Sequence, residues 1–284
     1  MNSEKAFSFF KLLRIENATL PLLSFFIGLG FAGTFNNKFN SYVIIVLIAL
    51  TAYATLQNDI KDKLIDIANK RTSSYIDGTF SKQFIQHVCW YLLLLVAITV
   101  LLSQSVLLGV GAYIALALTI AYNIKPFQFS RKPISSIVVL AILLGFIPAL
   151  LGLGTDIAFT SVWLLVILGL SLQRFSLSIL KDYKDYIGDK KYNKKTFLLT
   201  YGPNATKTVS ILFGFIGYLS ILMAFMIQFN NIWIVALLVM CAAFSIWYRF
   251  SLGANNKRNT HVFINAQKIN ALFELGFIGC LFIL

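Results

Sequence analysis

Two stretches of this sequence carry acids in the same arrangement. "NDIKDKLID" places Asp59, Asp62 and Asp66, and "KDYKDYIGD" places Asp182, Asp185 and Asp189. The spacing is i, i+3, i+7 in both, which on a helix lines three carboxylates along one face. Like charges so spaced repel and destabilise a helix unless a cation offsets them. Hard divalent cations do this, and Mg²⁺ in particular is held by a few carboxylates while keeping other positions for phosphate oxygens. The chemistry these residues suggest is Mg²⁺ bridging two acidic stripes to a diphosphate. The competing reading is a pair of solvated helix ends whose acids pair with Lys61, Lys63, Lys181 and Lys184, and the duplicated spacing argues against it. A phosphorylated substrate also needs cations nearby. Arg14, Arg71, Lys125, Arg131 and Lys132 are the candidates, each alternatively an anchor that fixes a loop on one side of a membrane.

Each stripe starts where an apolar run ends, and those runs set the fold. With 58% hydrophobic and 12% charged residues over 284 positions, the chain has about half the charge that a soluble surface needs. Apolar segments of about 20 residues, the length of a membrane-crossing helix, can be read near Ala18 to Phe35, Ser41 to Gln57, Phe84 to Leu102, Val106 to Tyr122, Ile134 to Gly154, Val162 to Leu180, Ala205 to Ile227, Ile232 to Phe250 and Val262 to Leu284. The expectation is an all-α, polytopic membrane bundle of nine transmembrane helices around a central cavity, forming one domain over residues 1–284. A barrel is excluded because its strands are shorter and alternate in polarity. The N-terminus holds Glu4 and Glu16 and no small-residue cleavage site, so it reads as mature protein rather than a signal peptide. Cys89, Cys241 and Cys280 lie inside apolar spans and read as core residues. His87 and His261 are too few and too separated for a transition-metal site.

The net charge of +13 raises the question of nucleic acid, and its placement answers it. Of the 24 Lys and Arg, all but Lys38 are assigned to the N-terminal tail and to the loops after the even-numbered spans, helix ends included. That asymmetry places the N-terminus and both acidic stripes in the cytoplasm and Leu284 at the far face. Intramembrane carboxylates would suggest a transporter, but the acids are read at helix ends and no pair of broken helices is evident. A structural or interaction protein has no need of paired stripes.

The same residues carry a family resemblance. "NDIKDKLID" is similar to the N-D-x-x-D-x-x-x-D motif of the UbiA superfamily of intramembrane prenyltransferases, and "KDYKDYIGDKKYNKKTFLLTYG" resembles its second region, with Asp185, Asp189, a basic stretch, Thr196 and Gly202 in order. "LLRIENATLPLLSFFIGLG" resembles the first helix, giving Arg14 and Asn17, and "AYNIKPFQFSRKPISSI" the loop after the fourth span, giving Tyr122 and Arg131. The resemblance implies Mg²⁺ on Asn58, Asp62, Asp66, Asp185 and Asp189, with Asp59 and Asp182 as further carboxylates of the metal cluster. It implies catalytic roles for Asn58, Asp62, Asp185 and Tyr122, and substrate contacts from Arg14, Asn17, Arg71, Lys125, Arg131, Lys132 and Lys181. The implied reaction moves an isoprenyl chain from a prenyl diphosphate to a lipophilic, aromatic acceptor within the membrane, as in quinone or prenyl-lipid biosynthesis. A bacterial cytoplasmic membrane is the expected location, with membrane lipid as surroundings, no nucleic acid and no obligatory protein partner. The sequence departs from the pattern at Ser73 and Ser74, where Arg-Pro is frequent before a Gly, here Gly78, and at Ser130, where Lys is frequent. These departures touch the acceptor class and leave open a terpene cyclase on the same scaffold.

Overall fold

The computed structural model describes residues 3–33, 38–154, 160–229, 231–252 and 256–283. The chain folds as α1 (Ser3–Leu13), a short 3-10 turn (Ile15–Ala18), α2 (Thr19–Ala32), α3 (Lys38–Ala68), α4 (Lys82–Ser103), α5 (Val106–Asn123), α6 (Pro133–Ala141), a π-turn (Ile142–Phe146), α7 (Ile147–Leu153), α8 (Ser161–Leu180), α9 (Asp182–Lys191), α10 (Phe197–Phe229), α11 (Ile232–Phe250) and α12 (Asn256–Ile283). No strand occurs among the described residues. Helices satisfy every backbone group within one segment, which hydrocarbon surroundings demand. Local sequence fixes their ends. Ser81 and Ser105 cap α4 and α5 by accepting from the Phe84 and Leu108 N–H groups, and Pro133 starts α6 with its φ already helical. Near the start of α10, Gly202 at φ 82° precedes Pro203, so the first turn is offset from the long span that follows.

Seven helical stretches, residues 7–32, 38–68, 82–103, 106–123, 133–153, 161–180 and 197–229, are long and apolar enough to cross a membrane among the described residues. The expected count of nine is not confirmed by the described residues. The eighth predicted span coincides with α11, Ile232–Phe250. The ninth falls on α12, where Lys268 and Glu274 interrupt the apolar sequence. Phe35 and Leu284, which bound two predicted spans, and the side chain of Cys241 lie outside the described residues. Cys89 is buried, Cys280 is partly buried, and both are free thiols. Large apolar groups such as Trp90, Leu101, Val106 and Tyr113 are more than two-thirds exposed. Such a belt belongs against lipid, and the protein is an integral membrane protein.

The helices associate through small residues. A Cβ on Gly169 of α8 or on Gly217 of α10 would lie 2.8 Å from the carbonyl oxygen of the other, so these two long helices meet backbone to backbone. One core joins α2, α7, α8 and α10 to α12 around Phe225, Phe273 and Phe277. A second joins α2, α3, α5 and α7 around Phe25, Val46, Leu108 and Leu151. A further contact of glycine positions the chemistry. A Cβ on Gly188 of α9 would sit 2.5 Å from the Ile65 carbonyl oxygen of α3. Only glycine lets α9 lie this close, and Asn69 Oδ1 fixes the approach by accepting the Gly188 N–H at 2.7 Å.

Candidate active site

With α9 held against α3, the two acidic stripes face one another and share cations. Arg71, just after α3, donates to Asp66 at 2.9 Å and also to Asp185. Lys194, just after α9, donates to Asp62 at 2.8 Å and lies 3.6 Å from Asp189. Each cation therefore touches one acid from each stripe. Asp62, Asp66 and Asp189 are buried, and Asp189 Oδ1 is within ion-pair reach of Lys194 but has no hydrogen-bond partner. Burial pushes the Asp189 carboxyl up to about 7 despite the pull of Lys194. Burial also works against the charge of Lys194, yet Asp62 and Asp189 hold its ammonium above the usual range.

The remaining predicted residues divide into three groups. Arg14, in a left-handed conformation (φ 44°) between α1 and the 3-10 turn, reaches Asp59 at 3.1 Å. Asn17 Nδ2 donates to Thr55 at 3.3 Å, and Lys181 Nζ donates to the Tyr122 hydroxyl at 2.9 Å. These residues and Asn58 line one cavity of about 330 Å³. Asp62 and Asp66 lie one and two turns further along α3, beyond the polar end of that cavity. Asp182 is turned elsewhere: its carboxylate accepts the Phe197 N–H at 3.1 Å and so serves the first turn of α10. Burial pushes it up to about 6 against the lowering effect of Lys181. Lys125, Arg131 and Lys132 are exposed and do not line the cavity. The Lys132 ammonium sits 5.3 Å from the Phe129 ring.

Among the described residues, no three carboxylate, imidazole or thiolate groups converge closely enough to hold a metal ion. The Arg71 guanidinium and the Lys194 ammonium stand between the stripes instead, supplying positive charge of the kind a divalent ion would supply. The groups there are four carboxylates, with the Asn58 amide one turn before Asp62 on α3, and they include Asp189 Oδ1, which has no hydrogen-bond partner. That set fits a hard cation.

Several residues of the site escaped the sequence reading. Lys194 stands in the basic stretch of the second motif region without being singled out, because nothing local shows that it folds back onto two acids. Lys61 donates to Ser130, so it brings an ammonium to a position where the family pattern often has a Lys. Ser74 donates to the Ser8 carbonyl at 3.4 Å and ties the loop after α3 to α1. Arg174 is a correction: it was counted with the cytoplasmic helix ends, yet it is 0% exposed within α8 and borders the cavity. Its Nη1 and Nη2 donate to Glu274 at 2.7 and 2.8 Å. It also donates to Ser24 and to the Leu20 and Leu144 carbonyls. Glu274 is likewise 0% exposed, so not every acid sits at a helix end. The available signal was a charge in the middle of an apolar span, which demands a buried partner.

The fold has counterparts among known proteins. Among solved structures, a digeranylgeranylglyceryl phosphate synthase is 21% identical, covering 99% of this chain and 100% of that one with a TM-score of 0.73. A UbiA homologue from Archaeoglobus fulgidus bound to GPP and Mg²⁺ is 16% identical, covering 96% and 99% with a TM-score of 0.72. A UbiA homologue from Aeropyrum pernix K1 is 16% identical, covering 95% and 98% with a TM-score of 0.68. At such identities the likeness shows a shared fold. No curated protein sequence matches the chain. The family match by sequence runs over residues 19–272, from the start of α2 into α12 and through both acidic stripes, and the chain belongs to the UbiA prenyltransferase family.

Proposed function

We propose that the protein transfers an isoprenyl chain from a prenyl diphosphate to a lipophilic acceptor within the membrane, with Mg²⁺ held by Asn58, Asp62, Asp66, Asp185 and Asp189. The observation that carries this reading is the pair of facing stripes, bridged by Arg71 and Lys194, just beyond the polar end of a largely apolar cavity. The Archaeoglobus homologue bound to GPP and Mg²⁺ supports both donor and metal. Bound Mg²⁺ would neutralise the diphosphate and favour departure of its oxygen. Arg71 and Lys194, already at the stripes, turn from the carboxylates to the diphosphate oxygens. Arg14 and Lys181 line the polar end of the cavity next to that position. The isoprenoid chain lies along Leu47, Leu50, Leu143 and Ile147, which keep water from the allylic cation. The Tyr122 ring borders the same space and offers its face to that cation.

On this reading the whole of residues 1–284 is one catalytic domain in a bacterial cytoplasmic membrane, with the N-terminus and the acidic stripes cytoplasmic and the C-terminus external. The acceptor is of the kind used in quinone or prenyl-lipid biosynthesis. The test is mass spectrometry of products from purified protein in detergent, with Mg²⁺, prenyl diphosphates of graded length and a lipid-extract acceptor pool. A prenylated acceptor that disappears in Asp62→Ala supports the assignment. A cyclised hydrocarbon would move the protein to the cyclases, and absence of Mg²⁺-dependent conversion would remove the proposal.

A further inference from the structure

A second space opens on another face of α3, between that helix and the first turns of α4. It is a groove of about 640 Å³, and its lining shares no residue with the active-site cavity. The helical turn explains the separation. Gln57 and Asn58 are neighbours in sequence but about 100° apart around α3, so the first lines the groove and the second the active site. Gln83, Gln86, His87 and Trp90 form the α4 wall, opposite Tyr53 and Gln57. Spaced at i, i+3, i+4 and i+7, the four α4 residues share one face of their helix. The volume far exceeds the roughly 30 Å³ of one water molecule.

Chemistry and depth both limit what can fill this groove. Among the described residues its lining holds no Asp, Glu, Lys or Arg, in a chain of net charge +13. It offers three carboxamides, an imidazole and a phenol instead. Each carboxamide carries two N–H donors and an accepting oxygen. Gln83, Gln86 and His87 are exposed and make no hydrogen bond to other described residues, so these groups are available to a ligand. Depth follows from the course of α4. The helix starts at Lys82, and Trp90 stands about 12 Å further along it. The same outward face then continues through Leu94, Ile98 and Leu101, all exposed and suited to lipid tails. Polar groups first, an exposed Trp at the junction and aliphatic groups after it follow the order of headgroup, interface and hydrocarbon.

We propose that the groove holds one membrane lipid with an uncharged sugar headgroup, its acyl chains lying along Leu94, Ile98 and Leu101. A sugar hydroxyl both donates and accepts, so neighbouring hydroxyls match the paired donor and acceptor of each carboxamide. Trp90, 70% exposed, adds a flat apolar face for the sugar ring and an indole N–H. A phosphate headgroup finds no cation in the lining, and an ammonium headgroup finds no carboxylate. The site lies apart from the acidic stripes and does not depend on the prenyl-transfer reading.

The test is native mass spectrometry of the full chain in a sugar-free polyoxyethylene detergent. The protein is titrated with galactosyl dioleoylglycerol, plain dioleoylglycerol, dioleoylphosphatidylglycerol and dioleoylphosphatidylcholine. These probes share their acyl chains, so differences among them report the headgroup. The galactolipid should bind about tenfold tighter than each of the others, the worth of one or two net hydrogen bonds. Gln83→Leu combined with Gln86→Leu should lower it to the affinity of dioleoylglycerol and leave dioleoylglycerol unchanged. Both side chains are exposed, so their replacement leaves the core packing in place. Methyl galactoside, which has the sugar without the chains, should fail to displace the galactolipid at equal concentration. Equal binding of galactolipid and dioleoylglycerol by the wild type would overturn the inference. So would tighter binding of either phospholipid, a preference that survives in the double variant, or displacement by the free galactoside. The wild-type comparison needs no variant to fold.

Discussion

The Arg174–Glu274 pair gives a sharp energetic prediction because both side chains are 0% exposed. Two short bonds, at 2.7 and 2.8 Å, join them, and Glu274 also accepts from Asn270 at 2.7 Å. Glu274→Ala strands a guanidinium in an apolar interior, and removing one partner of a buried pair costs about 3 to 5 kcal/mol. Arg174→Met strands the carboxylate and should cost about as much. Replacing both, as Arg174→Met with Glu274→Leu, removes the charges together. The remaining loss is that of the neutral partners left behind, Ser24 and the Leu20 and Leu144 carbonyls that faced Arg174 and the Asn270 amide that faced Glu274. At about 1 kcal/mol each, and with apolar packing regained, the double variant should be destabilised by only about 1 to 3 kcal/mol. The singles alone sum to roughly 6 to 10 kcal/mol, so the cycle is strongly non-additive. Reversible unfolding in mixed micelles of increasing SDS content, followed by tryptophan fluorescence, measures all four proteins. Single variants that lose less than about 1 kcal/mol, or a double variant that loses the sum of the two, would refute the view that the pair is a mutually neutralising unit.

Other consequences follow from the site. Gly188→Ala must push α9 from α3, since its Cβ would sit 2.5 Å from the Ile65 oxygen; steady-state turnover should fall by about 10²-fold, and an unaltered rate would mean the stripes need not meet. Arg71→Gln should weaken geranyl thiolodiphosphate binding by about 1.5 to 3 kcal/mol, whereas Arg131→Gln, exposed and outside the cavity, should change it little. Isothermal titration compares the two, and equal losses would contradict the geometry. Asp182 supplies a pH dependence. Its carboxyl is raised from 3.8 to about 6 in the folded protein, so the folded state binds more protons than the unfolded state and stability falls as pH rises between those values, by on the order of 3 kcal/mol. Asp182→Asn should flatten that part of the metal-free stability profile, and an unchanged slope would exclude Asp182 as its source.

The sequence by itself determined the features that depend on local spacing and composition. Apolar runs of bilayer length dictate helices because lipid leaves the backbone no other partner, and the i, i+3, i+7 repeat fixes which acids share a face before any tertiary contact exists. Where those faces point was a tertiary matter. Asp182 and Asp185 belong to one stripe, yet Asp182 turns to the Phe197 N–H of α10 while Asp185 meets Arg71. The choice depends on how α9 sits between α3 and α10, which Gly188 and Asn69 set from outside the motif. Lys194 and Arg131 look alike as basic loop residues, and only the fold of the chain puts one between two carboxylates and leaves the other exposed. Arg174 and Glu274 stand 100 residues apart. Their sequence neighbours mark each as an anomaly in an apolar helix, but nothing short of helix packing could make them partners.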